Sequence, residues 1–356
     1  MIELDNLHYD YSKVDSYNKP FNFIMSPREP GKTSMMWLKK IYFKWKLNKR
    51  PWIYCTRTSV EITSALIDSI ADTIINKFTD DNVVLKYNKG NFKDGIVDIF
   101  INDELFFRTV SLSIPLRRIK LAVVKNIAGV LMDEYIINPK LKERYIKNEA
   151  FIIKEAYTTW RRESSGILKW YFLANPYSLF NPLFLDWKVD LKRLKRDSFY
   201  VGDNFVIHWA ILNSELKEHL LKVNPLYKFD EDYQDYALDG IAINDKNIKL
   251  SSLPRKYYLR YVLLIGDRYI GIYSNPNYTE EDRFHCKYVD LSVLSKNRSI
   301  YCFSIEELVE RTSVISSEER FMLQVLKTAM RTRSVTFEDI NIYYLMLEVY
   351  KALWVY

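Results

Sequence analysis

Eight residues near the start of the chain, Ser26-Pro27-Arg28-Glu29-Pro30-Gly31-Lys32-Thr33, have the types and spacing to cradle a row of phosphates. They follow the pattern G-x-x-x-x-G-K-S/T, with Ser26 standing at the first glycine. In such a loop, backbone N–H groups and the helix N-terminus behind them face the β- and γ-phosphates of ATP. Lys32 supplies a point charge to the same oxygens, and the Thr33 hydroxyl is a ligand for Mg²⁺. Pro27 and Pro30 each withdraw an N–H donor from the loop. About 100 residues downstream, Gly129-Val130-Leu131-Met132 ends in Asp133-Glu134. Asp133 is expected to hold Mg²⁺ through water, and Glu134 to polarise the attacking water. Taken singly, a Gly-Lys-Thr in a surface turn and an acidic pair opening a loop are ordinary features. In this order they point to ATP hydrolysis.

Two further groups fit that chemistry. Asn175 ends an apolar run at Leu168–Ala174, where its amide could sense the γ-phosphate between the two motifs. Arg161 and Arg162, in Trp160-Arg161-Arg162-Glu163, could reach a phosphate from a neighbouring subunit and neutralise transition-state charge. Cations that complete a helix C-terminus explain the same pair equally well. Arg28, inside the loop, is the competing candidate within one subunit. The sequence contains no Asn-Lys-x-Asp guanine-reading signature, which disfavours GTP.

These groups need strands that end beside one another. Phe21–Met25 reads as a strand, followed by a helical run from about residue 33 to 47 and a strand at Trp52–Thr56. Apolar residues at helical spacing mark Val60 to Phe78 as a helix. Ile96–Ile101 and Leu105–Val110 flank Asn102-Asp103-Glu104 as a hairpin. A strand at Ala128–Met132, a helix at Ile152–Arg161 and the strand at Leu168–Ala174 complete the pattern. This alternation predicts an α/β domain with a largely parallel sheet over residues 1–200. Residues 201–250 read as a linker or lid with short helices, Leu216–Val223 among them. Beyond, strands at Tyr257–Ile265, Tyr269–Tyr273 and Phe284–Val289 and helices at Ile305–Arg311, Glu318–Met330 and Phe337–Trp354 predict a smaller α+β domain over 251–356.

Composition bounds the rest. The 356 residues, 48% hydrophobic and 27% charged, exclude wholesale disorder, and only nine glycines exclude Gly-rich low-complexity structure. A net charge of +7 permits a nucleic-acid partner. Basic clusters lie at Lys39, Lys40, Lys44, Lys46, Lys49 and Arg50 and at Lys188, Lys192, Arg193, Lys195 and Arg196; solvated helix faces account for such clusters as readily. Cys55, Cys286 and Cys302, and the four histidines, form no spaced ligand set. With acids in its first residues and no long apolar stretch, the chain reads as a soluble protein of a reducing cytoplasm, with no membrane partner.

These segments together resemble the DNA-packaging ATPases of phi-twenty-nine-like podoviruses, small relatives of the large terminases. The resemblance is carried by Phe21–Met25 with the loop through Thr33, including Arg28, and by Trp52-Ile53-Tyr54-Cys55-Thr56-Arg57. It continues through Ile114-Pro115-Leu116, Val130 to Ile136, Trp160-Arg161-Arg162-Glu163 and Phe172-Leu173-Ala174-Asn175. It implies a homopentameric ring of P-loop ATPase domains at the portal vertex of a procapsid in the host cytoplasm, threading double-stranded viral DNA inward, with a packaging RNA as a possible scaffold. It implies that the second domain is a vestigial RNase H-like nuclease without activity, in keeping with the absence of Asp and Glu from Tyr257–Ile265. Arg57, Lys140 and Lys142 occupy positions similar to the family's pore-facing loops and become candidate DNA contacts. Arg255, Lys256, Arg260, Lys327, Arg331 and Arg333 are candidates for a nucleic-acid clamp. Three other readings of the residues stay open: a helicase-type ring on single strands, a small-molecule kinase, and a portal or nucleic-acid scaffold that no longer hydrolyses ATP.

Overall fold

In the computed structural model of the chain, the strand ahead of the phosphate motif, Phe21–Met25 (β1), is buried at all five positions. Burial on both faces suits a strand covered by helices, and its neighbours on either side run parallel to it. The structure describes residues 8–28, 30–138, 144–179, 181–242, 248–265, 267–275, 283–295, 299–303, 309, 311–315 and 317–352. The chain divides into two compact units, Met1–Lys188 with Arg193–Asn244, and Val189–Lys192 with Asp245–Tyr356.

The first unit is built on a nine-stranded sheet. Its other strands are Trp52–Thr56 (β2), Lys86–Tyr87 (β3), Ile96–Ile101 (β4), Glu104–Ser111 (β5), Gly129–Asp133 (β6), Trp170–Ala174 (β7), Ser198–Val201 (β8) and Phe205–Trp209 (β9). They lie in the order β3-β4-β5-β2-β6-β7-β1-β9-β8. The six from β5 to β9 are parallel; β3, β4 and β8 join the two edges antiparallel. The β4–β5 pair is the hairpin that the Asn102-Asp103 turn predicts, with both turn residues at positive φ.

Behind the phosphate motif the chain is helical from 32 to 48, and its middle, Met36–Tyr42, is π-wound. Met35, Met36, Trp37, Leu38, Ile41, Tyr42 and Trp45 of this run are buried with Phe106 and Phe107 in the main core. The basic cluster on the same run is largely neutralised. Lys40 pairs with Asp15, Lys46 with Asp81 at 2.8 Å and Lys49 with Glu104 at 2.7 Å, while Arg50 donates to the carbonyls of Asn126 and Ile127. Strands β8 and β9 have no counterpart in the sequence reading. They belong to the sheet of the first unit, and the helices Ser214–Val223, Leu226–Phe229 and Glu231–Ala237 follow them.

The second unit holds a six-stranded mixed sheet. Its strands are Tyr258–Ile265 (β10), Arg268–Ser274 (β11), Phe284–Tyr288 (β12), Ile300–Cys302 (β13), Thr312–Val314 (β14) and Val335–Phe337 (β15), in the order β14-β13-β10-β11-β12-β15. Helices Ser317–Arg331 and Ile340–Ala352 complete it. Phe337, read from the sequence as the start of the last helix, is instead the end of β15, held in register with Cys286 of β12. The helix starts only after Asp339, whose carboxylate accepts the Asn341 N–H at 2.7 Å. Most of the helix expected at 305–311 lies outside the described residues.

Candidate functional site

Parallel strands bring their C-terminal ends to one edge of the sheet, and here that edge collects the motif residues. Strand β7 lies between β1, which leads into the phosphate loop, and β6, which ends in the acids. Residues that are 143 apart in sequence therefore meet: Lys32 Nζ donates to Asn175 Oδ1 at 2.6 Å. Thr33 Oγ1 donates to Asp133 Oδ2 at 2.8 Å, across a separation of 100 residues.

Gly31 is the hinge of the loop. Its φ of +63° is left-handed, and a Cβ there would stand 2.8 Å from the His8 ring, so side-chain-free backbone is needed on two counts. The helix begins at the next residue, and its first N–H groups have no partner within the helix itself. The earlier part of the loop is turned inward. Ser26 is fully buried, its N–H donates to Ala174 O and its hydroxyl to Pro27 O; the Arg28 N–H donates to Ala237 O. Gly240, also left-handed, packs its backbone on Pro27 and accepts the Trp209 indole N–H at 3.0 Å. The side chain of Arg28 is exposed and reaches the Tyr177 hydroxyl at 3.5 Å. Pro30 is buried, and Glu29 lies outside the described residues.

The electrostatics are those of charges removed from water. Burial pulls the Lys32 ammonium down to about 8, against the upward pull of the Asp133 and Glu134 carboxylates, and Arg28 adds to the depression. Burial likewise raises the Asp133 carboxyl above its ordinary value, opposed by Lys32 and by the Thr33 hydroxyl. Glu134 is exposed, sits at φ +54° and donates its N–H to Asp133 Oδ1 at 2.9 Å, which turns the chain at the strand end.

Arg57 corrects the sequence reading. It was a candidate DNA contact, but its side chain is buried and fully engaged. Nε donates to Glu149 Oε2 at 2.9 Å and Nη2 to Glu149 Oε1 at 3.2 Å. Nη1 donates to the Glu134 carbonyl at 3.2 Å and Nη2 to the Tyr135 carbonyl at 2.9 Å. Asn181 donates to that same Tyr135 carbonyl at 3.0 Å. Arg57 thus holds the turn that follows the acids, and its guanidinium is spent on protein oxygens. Glu149 and Asn181 were missed, and only a sensor for pairs distant in sequence would find them. Lys140 and Lys142 lie outside the described residues.

Arg161 and Arg162 are not brought to the acids. The helix Glu149–Trp160 starts beside Arg57 and ends where Trp160 stacks on Trp170, the first residue of β7. At 1.5 Å per residue its 12 residues span about 18 Å, so both exposed arginines sit at the opposite end of the sheet from Lys32.

The donor set fits a magnesium nucleotide. Thr33 and Asp133 offer converging hard oxygens, one hydroxyl and one carboxylate, which suits an ion that takes its remaining ligands from phosphate and water.

No protein-family model and no curated protein matches the chain. Solved structures do. A chain of the bacteriophage Phi-29 viral genome packaging motor assembly is similar at a TM-score of 0.70 and 20% identity, covering 98% of this chain and 100% of that one. The Phi-28 gp11 DNA packaging motor is similar at 0.60 and 16% identity, covering 99% of this chain and 98% of that one. Over nearly its whole length, the chain has the fold of these phage packaging-motor proteins.

Proposed function

We infer that this chain is an ATPase that drives double-stranded viral DNA into a procapsid, working as a ring whose active sites are shared between subunits. The observation that carries this reading is the convergence of Lys32, Thr33, Asn175 and Asp133 at one sheet edge, with Glu134 one residue further on. Likeness of fold to the Phi-29 and Phi-28 packaging-motor chains supplies the biological setting.

In the reaction, Lys32 and the amides at the head of its helix bind the β- and γ-phosphates. Thr33 and Asp133 would hold Mg²⁺, which when bound neutralises phosphate charge. Asn175, already bonded to Lys32, is placed to exchange that bond for one to the γ-phosphate. Glu134, exposed at the end of β6, orients the attacking water and accepts its proton. Arg161 or Arg162, just past the C-terminal end of the helix Glu149–Trp160, serves the neighbour's site. Arg28 is the charge that each subunit keeps on its own loop.

The remaining partners follow the same reading: a portal vertex as docking place, a pentamer as the ring, a packaging RNA as scaffold. The DNA-facing cations are then Lys140 and Lys142, without Arg57. In the second unit, β12-β11-β10 run antiparallel and β10-β13-β14 parallel, a strand order that supports descent from an RNase H-like nuclease. Exposed Arg255, Lys256, Arg260, Arg331 and Arg333 supply a basic surface there for nucleic acid.

The test is ATP hydrolysis by the assembled protein with and without duplex DNA. The motor reading expects turnover stimulated by duplex and abolished by Lys32→Ala. Mixing Lys32→Ala subunits with Arg161→Ala,Arg162→Ala subunits is expected to restore part of the activity. Turnover indifferent to duplex removes the motor, and no recovery at any mixing ratio removes the shared site.

A further inference from the structure

The phosphate loop has a second set of attachments, which come from the start of the described chain. The Tyr9 N–H donates to Pro30 O at 2.9 Å, and the Tyr11 hydroxyl donates to Lys32 O at 2.7 Å. The Lys32 carbonyl already accepts the Met36 N–H within its own helix. Tyr11 takes the remaining lone pair, so the bond is one that the helix does not need for its own satisfaction. Tyr11 is buried, and burial raises its phenol well above the ordinary value, with Tyr9, Asp133, Tyr171 and Asp15 adding to the rise. The hydroxyl therefore stays protonated and always donates.

The same segment is fixed further along to the two elements that carry the site. Asp15, at the end of the short helix Ser12–Asp15, accepts from Lys40, which lies on the helical run that Lys32 begins. It also accepts from the Tyr171 hydroxyl on β7. Tyr11 itself meets the Tyr171 ring edge-on, with centroids 6.0 Å apart. Asn175 directly follows β7. Lys32 and Asn175 are thus joined twice: directly, through Nζ and Oδ1 at 2.6 Å, and through a frame of Lys32 O, Tyr11, Tyr171 and β7. The segment holds the helical run ahead of its π-wound stretch at Lys32 and within that stretch at Lys40. Such irregular winding recurs at functional sites.

We propose that Tyr11 is a positioning residue for hydrolysis: its hydroxyl pins the main chain of Lys32 at the distance from β7 that lets the ammonium pass between Asn175 and the γ-phosphate. A lysine ammonium sits on a flexible four-carbon stem, so its reach is defined only as well as its backbone is. With that backbone pinned, exchange of the Asn175 bond for a phosphate needs side-chain rotation alone. Reaction rates respond steeply to such placement, and a displacement of about 1 Å can cost about 10²-fold. Removing the hydroxyl leaves the ring packing and the helical bond of Lys32 O in place. Its cost therefore falls on rate and not on folding.

The inference rests on the phosphate-site reading above, and the experiment separates the two. Steady-state ATP hydrolysis by the assembled full chain with duplex DNA is measured for wild type, Tyr11→Phe, Asn175→Ala and the double variant, alongside thermal unfolding of each. Tyr11→Phe is expected to lower kcat about tenfold, the rate equivalent of one buried hydrogen bond. KM should stay within about threefold of wild type and Tm within about 2 °C. Asn175→Ala is expected to lower kcat by at least as much. Without Asn175 the spacing that Tyr11 sets has no partner, so the double variant should be within about twofold of Asn175→Ala. Tyr11→Phe at the wild-type rate, or slow only with a larger fall in Tm, overturns the positioning role alone. So does a double variant as slow as the product of the two single effects, which is what independent structural damage gives. Asn175→Ala at the wild-type rate overturns the Lys32–Asn175 spacing as the quantity Tyr11 sets. Wild type that hydrolyses no ATP overturns the phosphate-site reading as well.

Discussion

Strands β6 and β10 stand in similar surroundings and end differently. Each lies inside a mixed sheet, with at least one parallel neighbour, and each is apolar where it is most buried. β6 ends in Asp133-Glu134, and the side chains around that end are bonded across 100 and 143 residues of sequence. β10, Tyr258–Ile265, has Arg260 as its one charged residue, and that guanidinium reaches the Ser274 hydroxyl on the neighbouring strand. Among the described residues no group of three or more His, Cys, Asp or Glu is placed to hold a metal ion. A buried strand is thus scaffolding that either unit can build. Chemistry depends on the residue just past the last rung and on what holds it there.

The sharpest way to break this contrast is to remove the Glu134 carboxylate without changing its size. Glu134→Gln is expected to lower the hydrolysis rate about 10²–10⁴-fold, the usual worth of a positioned general base. ATP binding should persist, because Lys32, Thr33 and Asp133 are untouched. Single-turnover hydrolysis and equilibrium ATP binding on the same preparation check both halves. A rate within tenfold of wild type would give the catalytic role to another group.

The second contrast is between two arginines. Arg57, at the end of β2, is buried against Glu149, whereas Arg260 is exposed. Arg57→Ala takes the cation from the buried Glu149 carboxylate and the guanidinium donor from the Glu134 carbonyl, while Asn181 still serves Tyr135 O, and is expected to cost about 3–5 kcal/mol. Arg260→Ala should stay within about 0.5 kcal/mol. Arg57 lies in the first unit and Arg260 in the second, so urea unfolding is followed by far-ultraviolet circular dichroism, which reads both. Equal midpoint shifts for the two variants would mean that the Arg57 pair contributes no more than a surface contact.

The same two arginines show what the sequence could reveal. Gly31-Lys32-Thr33 and Asp133-Glu134 are legible because their chemistry requires fixed local spacing and a strand beside each. Arg57 looked like a surface cation because its partner, Glu149, is 92 residues away and no local pattern announces it. β9 was missed for a related reason: Phe205-Val206-Ile207-His208-Trp209 is a short run, and its His208 is satisfied by Tyr9, 199 residues upstream. β13, β14 and β15 have three residues each, too few for a period of two to register. Phe337 was drawn into a helix by the apolar residues that follow it, until pairing with β12 claimed it for the sheet.

The smallest expected effect is a slope with pH, and it follows from burial at the same edge. In the nucleotide-free protein Lys32 is depressed to about 8, faced by Asn175, Asp133, Glu134 and Arg28. A diphosphate binds the ammonium form better than the neutral amine, so bound nucleotide raises the Lys32 pKa. Below about pH 8 the lysine is already charged and ADP affinity should be flat. Above it, binding must take up a proton, and the dissociation constant should rise by up to about tenfold per pH unit, the limit for one linked proton. Lys32→Arg keeps its charge throughout this range and should show no such slope. The check is ADP titration at pH 7.5, 8.5 and 9.5 at fixed magnesium and ionic strength. A wild-type curve as flat as that of Lys32→Arg would mean that Lys32 remains fully charged beyond pH 9 in the free protein. The phosphate cradle would then be open to water before nucleotide arrives, as exposed as the Arg260 end of the comparison.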